Sequence, residues 1–312
     1  MNTRCHIVTR NRLFGHQNHL FTRIKTQGDD RCSVTRRRSA RDVTTLRWND
    51  MTTIKMKHPE VFDAIGTSVA ATTFQEFSQD IQRQLKSGRG GYVTFANSHT
   101  TVMARRDPVY ANALTKAYRI LPDGRSVYLV GRLRYRKRLE QLAGPDVMGK
   151  LLTQPFEPAL RHFFYGSTQE TLSLLIARIK QSHPNAIIVG QESPPFRPLS
   201  SEEQEAALRR IQGAQADIIW IGLGAPKQEL WMSEHANQLK PAILFGVGAA
   251  FDFHAGTSTR APDWMRRAGL EWLHRLTQEP KRLWRRYALS NSFFLFYVFK
   301  DLITQRAQKS QT

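Results

Sequence analysis

The sequence predicts an α/β fold: a largely parallel, Rossmann-like sheet flanked by helices, followed by a helical C-terminal appendage. Two observations carry the sheet. Short apolar runs of strand character, such as GYVTFA, RHFFYG, ADIIWIG and PAILFG, alternate with stretches of helical periodicity. Most of these runs end in a loop rich in Gly, Pro or small polar residues. The third observation sets off the appendage: from about residue 257 such runs give way to basic and aromatic residues, RAPDWMRRAGLEWLHRLTQEPKRLWRRY and then a short aromatic stretch.

Taken in order, regular patterning begins near residue 58. FQEFSQDIQRQLKSG (74–88) has helical spacing and a Gly stop. GYVTFANSHT (91–100) reads as a strand and loop, and 101–117 as two short helices broken at Pro108. RILPDGRSVYLVGRL (119–133) reads as strand, turn and helix. ALRHFFYGS (159–167) is a strand, followed by a helix from Thr168 to about Ser182. AIIVGQESPPF (186–196) is a strand with a Pro-rich loop, and 202–214 is a helix. ADIIWIGLGAPKQELW (216–231) and PAILFGVGAAFDF (241–253) are strands running into small-residue loops. The expected organisation is therefore a core over 58–256 and a basic, aromatic, helical appendage over 257–312.

Residues 1–57 read differently. The first fifty hold eleven Arg/Lys and four Asp with little apolar periodicity, the composition of a disordered basic extension or of an arm that touches polyanions. The chain has 312 residues and 46 Lys+Arg against 26 Asp+Glu, a net charge of +20 that favours polyanionic partners: nucleic acid, anionic lipid or a phosphorylated substrate. Cys5 and Cys32 are the only cysteines, which excludes a disulfide framework or a Cys-rich zinc site in the main body and fits a reducing cytoplasm. No leader with an apolar core is evident, and no run of about 18 apolar residues suggests a transmembrane helix.

In parallel sheets ligands gather beyond the C-terminal strand ends, so the loops there carry the candidates. Gly222 and Gly224 of GLGAPKQE permit close backbone approach, and Lys227 and Gln228 are expected to point into one crevice; the plain alternative is an ordinary tight turn. GVGAAFDF repeats the logic, with Asp252 either at the site or capping a helix. Gly166 of YGS is a weaker candidate for a nucleoside or phosphate contact. Asp123 of LPDG is either a general base or a turn residue bonding its own backbone. Asn97 and His99 end a strand where a polar ligand would lie. No metal-ligand spacing is present, and no Walker or dinucleotide fingerprint, so neither a metal nor a cofactor is expected. Arg275, Arg282 and Arg285 share a face if their helix is continuous, unless Pro280 breaks it; they suit phosphate binding or form a solvated basic face.

LPDG, AGPDVM, GLGAPKQELW, GVGAAFDFHAG and the long appendage motif together resemble the WecG/TagA/CpsF family of bacterial glycosyltransferases, over roughly residues 60–300. The resemblance implies an α/β fold with a membrane-associating C-terminal appendage. It also implies metal-free transfer from a UDP-sugar to a polyprenyl-diphosphate-linked saccharide, peripherally at the cytoplasmic face of the inner membrane. The family's catalytic base matches Asp123, its strand-end asparagine Asn97, its loop glutamine Gln228, and its diphosphate-facing arginines Arg275, Arg282 and Arg285. Two positions depart from the pattern: Phe95 stands where many members have Thr, and Gln141 where many have Arg. The loop ESPPFRP (192–198) is similar to that of a branch associated with exopolysaccharide glucosyl transfer. An anionic membrane surface is an expected partner, nucleic acid is not, and a homo-oligomer is left open. The competing class is a basic nucleic-acid-binding protein, but the chain lacks a recognisable helix-turn-helix, zinc finger or RNA-recognition motif.

Overall fold

The computed structural model describes residues 60–309 and, in a separate N-terminal unit, four short strands: β1 (Ile7–Val8), β2 (Phe21–Ile24), β3 (Val34–Arg37) and β4 (Val43–Leu46). These pair antiparallel in chain order. The rest of the expectation for residues 1–57 falls outside the described residues.

The second unit spans residues 59–312 and holds both the core and the C-terminal helices. Its centre is a six-stranded sheet of β7 (Gly91–Ala96), β8 (Arg119–Pro122), β9 (Arg161–Gly166), β10 (Ile187–Glu192), β11 (Ile218–Gly222) and β12 (Ile243–Gly246). The spatial order is β10-β9-β11-β12-β7-β8 and every pairing is parallel. Alternate side chains feed two cores, because successive residues of a strand face opposite sides. Phe164, Trp220 and Phe245 pack on one face, while Phe163, Tyr165, Ile219, Ile221 and Leu244 pack on the other. Burial on both faces is why these strands read as continuous apolar runs.

The helices start where local chemistry dictates. In α1 (Phe74–Lys86), Thr73 and Glu76 form a reciprocal capping box. The break at Pro108 separates α2 (Ser98–Arg106) from α3 (Pro108–Thr115), with Asp107 capping the second. α4 (Arg125–Leu129) runs into a π-turn; α5 (Gly144–Thr153), α6 (Gln169–Ser182), α7 (Ser201–Gly213) and α8 (Lys227–His235) follow.

A hairpin that the periodicity did not predict, β5 (Val61–Ala64) with β6 (Thr67–Ala70), turns at Ile65 and Gly66, both with positive φ. A β-branched residue in that region is costly; here Ile65 is fully buried, which supplies an offsetting contact. The hairpin opens a third core in which Phe62, Ile65 and Val69 meet Tyr110 and, from the far end of the chain, Phe294.

That contact defines the appendage. α9 (Ala250–Ala255) ends at Gly256 in the left-handed region, and three helices follow: α10 (Asp263–Ala268), α11 (Glu271–Gln278) and α12 (Pro280–Lys309). Pro280 does break the helix: without an N–H it cannot continue α11, and it opens α12 instead. Leu283 and Phe294 are buried, and Phe293, Tyr297 and Val298 pack against the third core. The aromatic run therefore divides: half closes the core, while Leu295, Phe296 and Phe299 stay exposed.

Candidate active site

A cavity of about 750 Å³ opens at the C-terminal edge of the sheet, lined by the loops after β7, β8, β9, β11 and β12 and roofed by the appendage. Asp123, two-faced in the sequence, is not a self-bonded turn residue. Its Oδ2 accepts from Asn97 Nδ2 at 3.1 Å, and its Oδ1 accepts from the Gly144 N–H at 3.3 Å. Asn97 cannot turn away, because its Oδ1 caps α2 by accepting from the N–H groups of His99 and Thr100 at 3.1 Å. The helix cap thus fixes which end of the amide faces the carboxylate. Burial pushes the Asp123 carboxyl up to about 6, against the pull of the Asn97 hydrogen bond, with nearby Glu271 adding to the rise. Both departures from the family pattern lie on this cavity wall: Gln141 Nε2 donates to the Asp123 carbonyl at 2.8 Å, and Phe95 lines the cavity.

The two glycine loops are tied together by Gln228, which is buried. Its Oε1 accepts from the Gly224 N–H at 3.1 Å, and its Nε2 donates to the Gly246 carbonyl and to Glu229 Oε1, each at 2.8 Å. Gly224, at φ +76°, lines the cavity as expected for close backbone approach, with its N–H engaged by Gln228. Two expectations are corrected here. Lys227 is exposed and outside the cavity wall, because it opens α8 about 100° round the helix from the buried Gln228. Gly166 also lies outside the wall; it packs against Gly222, and a Cβ there would sit 2.6 Å from a backbone carbon, so its role is steric. Ser167 lines the cavity in its place. Asp252 does line it, within α9 rather than as a cap. Burial raises its pKa, while Arg275 and Arg282 pull it back.

The appendage is held over the cavity by an ionic knot. Arg260 grips Asp146 with both terminal nitrogens, at 2.5 and 2.8 Å, and its Nε donates to Glu271 at 3.1 Å. Arg266 adds a longer contact to the same carboxylate, at 3.4 Å. Against its own burial, Asp146 is held below the usual carboxylate range by these arginines. Asp146 lies on the first turn of α5, two residues past the Gly144 N–H that meets Asp123, so one short turn serves both the Asp123 carboxyl and the roof.

Arg275 and Arg282 reach the cavity from α11 and α12. Arg285 does not: it is exposed, its guanidinium 5.8 Å from the ring centre of Trp284. The break at Pro280 resets the helical phase, and Arg286 takes the inward position. Leu283, Arg286, Ser290, Phe294 and Tyr297, spaced three to four apart, form the inward stripe of α12. Ser290 Oγ meets His99 Nδ1 at 2.9 Å, and Asn291 Oδ1 accepts from Ser98 Oγ at 2.8 Å, stitching the stripe to the start of α2. Burial and Arg286 hold His99 down to about 4, so its ring is neutral. Sequence reasoning missed Glu229, Arg286, Glu271 and Tyr287, all of which line the cavity. The spacing of the α12 stripe, counted from Pro280, is the signal that finds Arg286. Among the described residues no group of three or more His, Cys, Asp and Glu is placed to hold a metal ion.

A sequence profile described as the "Glycosyl transferase WecG/TagA/CpsF family" matches residues 62–308. The chain is similar to three proteins named N-acetylglucosaminyldiphosphoundecaprenol N-acetyl-beta-D-mannosaminyltransferase. For that of Bacillus spizizenii the identity is 30% over 202 residues, covering 65% of this chain and 76% of the relative. For that of Bacillus subtilis it is 29% over 212 residues, covering 68% and 80%. For that of Staphylococcus aureus it is 24% over 237 residues, covering 75% and 91%.

Proposed function

This chain belongs to the WecG/TagA/CpsF family of glycosyl transferases, and on that premise we propose that it moves a hexosyl group from a UDP-sugar to a hydroxyl of a saccharide carried on a polyprenyl diphosphate. The observation that carries the reading is Asp123: a carboxyl deep in the cavity, oriented by Asn97 and Gly144, with a pKa near 6 and arginines on the facing wall. Such a group is ionised at neutral pH yet basic enough to accept a proton. It takes the proton of the acceptor hydroxyl as that oxygen attacks the anomeric carbon. The bond from that carbon to the UDP oxygen breaks, and UDP leaves with the electron pair. A single displacement of this kind inverts the anomeric centre. Arg275 and Arg282, with Arg286, offset the charge that develops on the diphosphate, the task a divalent cation performs in other transferases.

The relatives' names make an N-acetylmannosaminyl donor and a lipid-diphosphate N-acetylglucosamine the first pair to assay, with the donor supplied as the UDP-sugar of the reading above. The ESPPFRP loop adds UDP-glucose to the donor panel, for a product in surface or exopolysaccharide assembly. Transfer measured with these donors in EDTA tests the reading. Turnover without added cation supports it, and strict dependence on a cation contradicts the role given to the arginines.

The outer face of α12 supports peripheral docking at the cytoplasmic face of the inner membrane. Trp284, Leu289, Phe296, Phe299 and Ile303 are exposed along it, with Lys281 and Arg285 near its start. Among the described residues no helix is long and apolar enough to cross a membrane. A lipid-linked acceptor would then meet the cavity from the surface on which the appendage rests.

A further inference from the structure

The reaction above leaves one strongly charged part of the surface without a task. The π-turn (Val130–Arg134) that continues α4 opens a run in which five of the seven residues 132–138 are Arg or Lys and none is acidic. Its inner side is anchored on the β5–β6 hairpin. Val130 and Gly131 are buried, a Cβ on Gly131 would sit 2.9 Å from the Phe62 ring, and the Phe62 and Tyr135 ring centres are 6.0 Å apart. Arg132 Nη1 donates to the Lys137 carbonyl at 3.3 Å, and Lys137 pairs with Glu60 at 2.9 Å. The Arg134 guanidinium is turned inward, 5.3 Å from the Tyr135 ring centre, with its nitrogens closed to water. Arg132, Arg136 and Arg138 remain outside. All three are exposed and, among the described residues, in no ion pair; Arg138 acts on Glu76 from beyond ion-pair distance. Leu133 stands among them, 74% exposed.

We propose that this turn is a second docking point on the membrane, with Arg132, Arg136 and Arg138 on anionic lipid headgroups and Leu133 dipping between them. The turn's role rests on the peripheral docking read above from α12. The chemistry selects a bilayer over a nucleic acid. A phosphate backbone calls only for cations, and bases stack on aromatic rings. An aliphatic tip ringed by arginines instead matches the boundary between headgroups and acyl chains. Placement agrees. Arg125 and Ser126, at the start of α4, line the cavity, and a Cβ on Gly269 of the roof would sit 3.0 Å from Arg125 Cγ. At about 1.5 Å per helical residue, Leu133 lies roughly 10 Å along the helix from that lip. The hairpin stands between the turn and α12. Its Asp63 is influenced by Arg134 of the turn and by Asp301 of α12, and its Phe62 shares the third core with Phe294. The two docking elements thus border one hairpin and one cavity. A single contact leaves a peripheral protein free to rock on the bilayer. Two contacts fix its tilt, so that a lipid-linked diphosphate meets the cavity at a set height.

The test compares the wild type with Leu133→Ser and with a triple variant, Arg132→Gln, Arg136→Gln and Arg138→Gln. Binding is measured by co-sedimentation with vesicles of phosphatidylcholine, alone or mixed with phosphatidylglycerol. Transfer to a lipid-diphosphate acceptor is measured in detergent and in the mixed vesicles. The expected result is a loss of affinity for the anionic vesicles of about 10-fold or more in the triple variant and about threefold in Leu133→Ser. The gap between wild type and triple variant closes on neutral vesicles and shrinks with added salt. Transfer in detergent stays within twofold of the wild type, while transfer in anionic vesicles falls. A triple variant that binds anionic vesicles as tightly as the wild type would make the turn a solvated basic face and overturn the proposal. The α12 reading would survive that result if Phe296→Glu with Phe299→Glu still releases the protein. An equal loss on neutral vesicles, or a matching fall of transfer in detergent, would assign the turn to the fold or to the reaction and overturn it too. A wild type that binds no vesicle at all would defeat the α12 reading itself, and the second docking point with it.

Discussion

At the sheet end of the cavity, Asn97, Asp123 and Gln228 are each fixed by at least two other groups. Asn97 is held by a helix cap, Asp123 by Asn97 and Gly144, and Gln228 by two glycine loops. At the appendage end, Arg282 is 66% exposed and its ion-pair partner, Glu279, lies on its own turn. The difference matches what the proposed reaction asks of each end. A base has to sit within hydrogen-bond reach of one oxygen, so it is placed on rigid strand ends. Countercharge to a diphosphate tolerates looser geometry, because Coulomb attraction falls off slowly with distance. The roof is precise at its root, where Arg260 and Asp146 tie it to the turn that also meets Asp123, and along the inner face of α12, where Ser290 and Asn291 meet α2.

The comparison breaks first at Asp123. Asp123→Asn should lower kcat by about 10²–10⁴-fold while UDP affinity stays within threefold, measured by transfer and calorimetry. In the wild type the rate should fall about tenfold per pH unit below about 6, since the base must be ionised. The same shift has a stability consequence. The folded pKa, about 6, lies above the ordinary 3.8, so the stability that protonated Asp123 contributes is fully present below 3.8 and is lost as pH rises through 6. Melting curves of the wild type against Asp123→Ala across that window should diverge in this sense.

The next contrast lies along α12 itself. Phe294→Ala should cost about 3 kcal/mol of stability, by emptying a site in the third core. Phe296→Ala, on the outer face, should cost less than about 0.5 kcal/mol. For membrane docking the order reverses: Phe296→Glu with Phe299→Glu should release the protein from anionic vesicles in co-sedimentation. Deleting residues 290–312 would be a poorer test, because it also removes the buried Phe294 and Ser290.

Arg260→Ala should destabilise by about 2 kcal/mol in denaturant titration, having left Asp146 without its main partner. A double-mutant cycle with Asp146→Ala should show coupling between the two; additivity would mean the knot holds nothing. The smallest effects separate neighbours. Arg282→Ala should change stability by less than about 1 kcal/mol, since its ion pair is exposed, yet slow transfer by about tenfold. Arg285→Ala should leave transfer in detergent within twofold and weaken only vesicle binding, because its side chain faces outward.

Much of the sheet end was legible in the sequence because strands buried on both faces leave unbroken apolar runs. The loops NSHT, LPDG, GLGAPKQE and GVGAAFDF all end at the cavity. What sequence could not supply was direction. Lys227 and Gln228 are adjacent, yet only the buried one faces the cavity, and helix phase decides which. The arginine spacing of seven and three assumed a continuous helix, and Pro280 shifted the inward position from Arg285 to Arg286. The β5–β6 hairpin was invisible because its turn uses Ile65, a residue that turn chemistry disfavours and that only burial in the third core accommodates. Glu229 and Glu271, which also line the cavity, lie far apart in the chain, so no local pattern announces them together.

The central claim is that Asp123 is the base and that arginines of the appendage do the work of a cation. The most direct measurement is transfer to a lipid-diphosphate acceptor in EDTA, with whichever donor the wild type turns over, comparing the wild type with Asp123→Asn at a pH well above 6. The account predicts full wild-type turnover and a loss of at least about 10²-fold in the variant. Activity of the variant within twofold of the wild type, or a wild type silent until a divalent cation is restored, would contradict it.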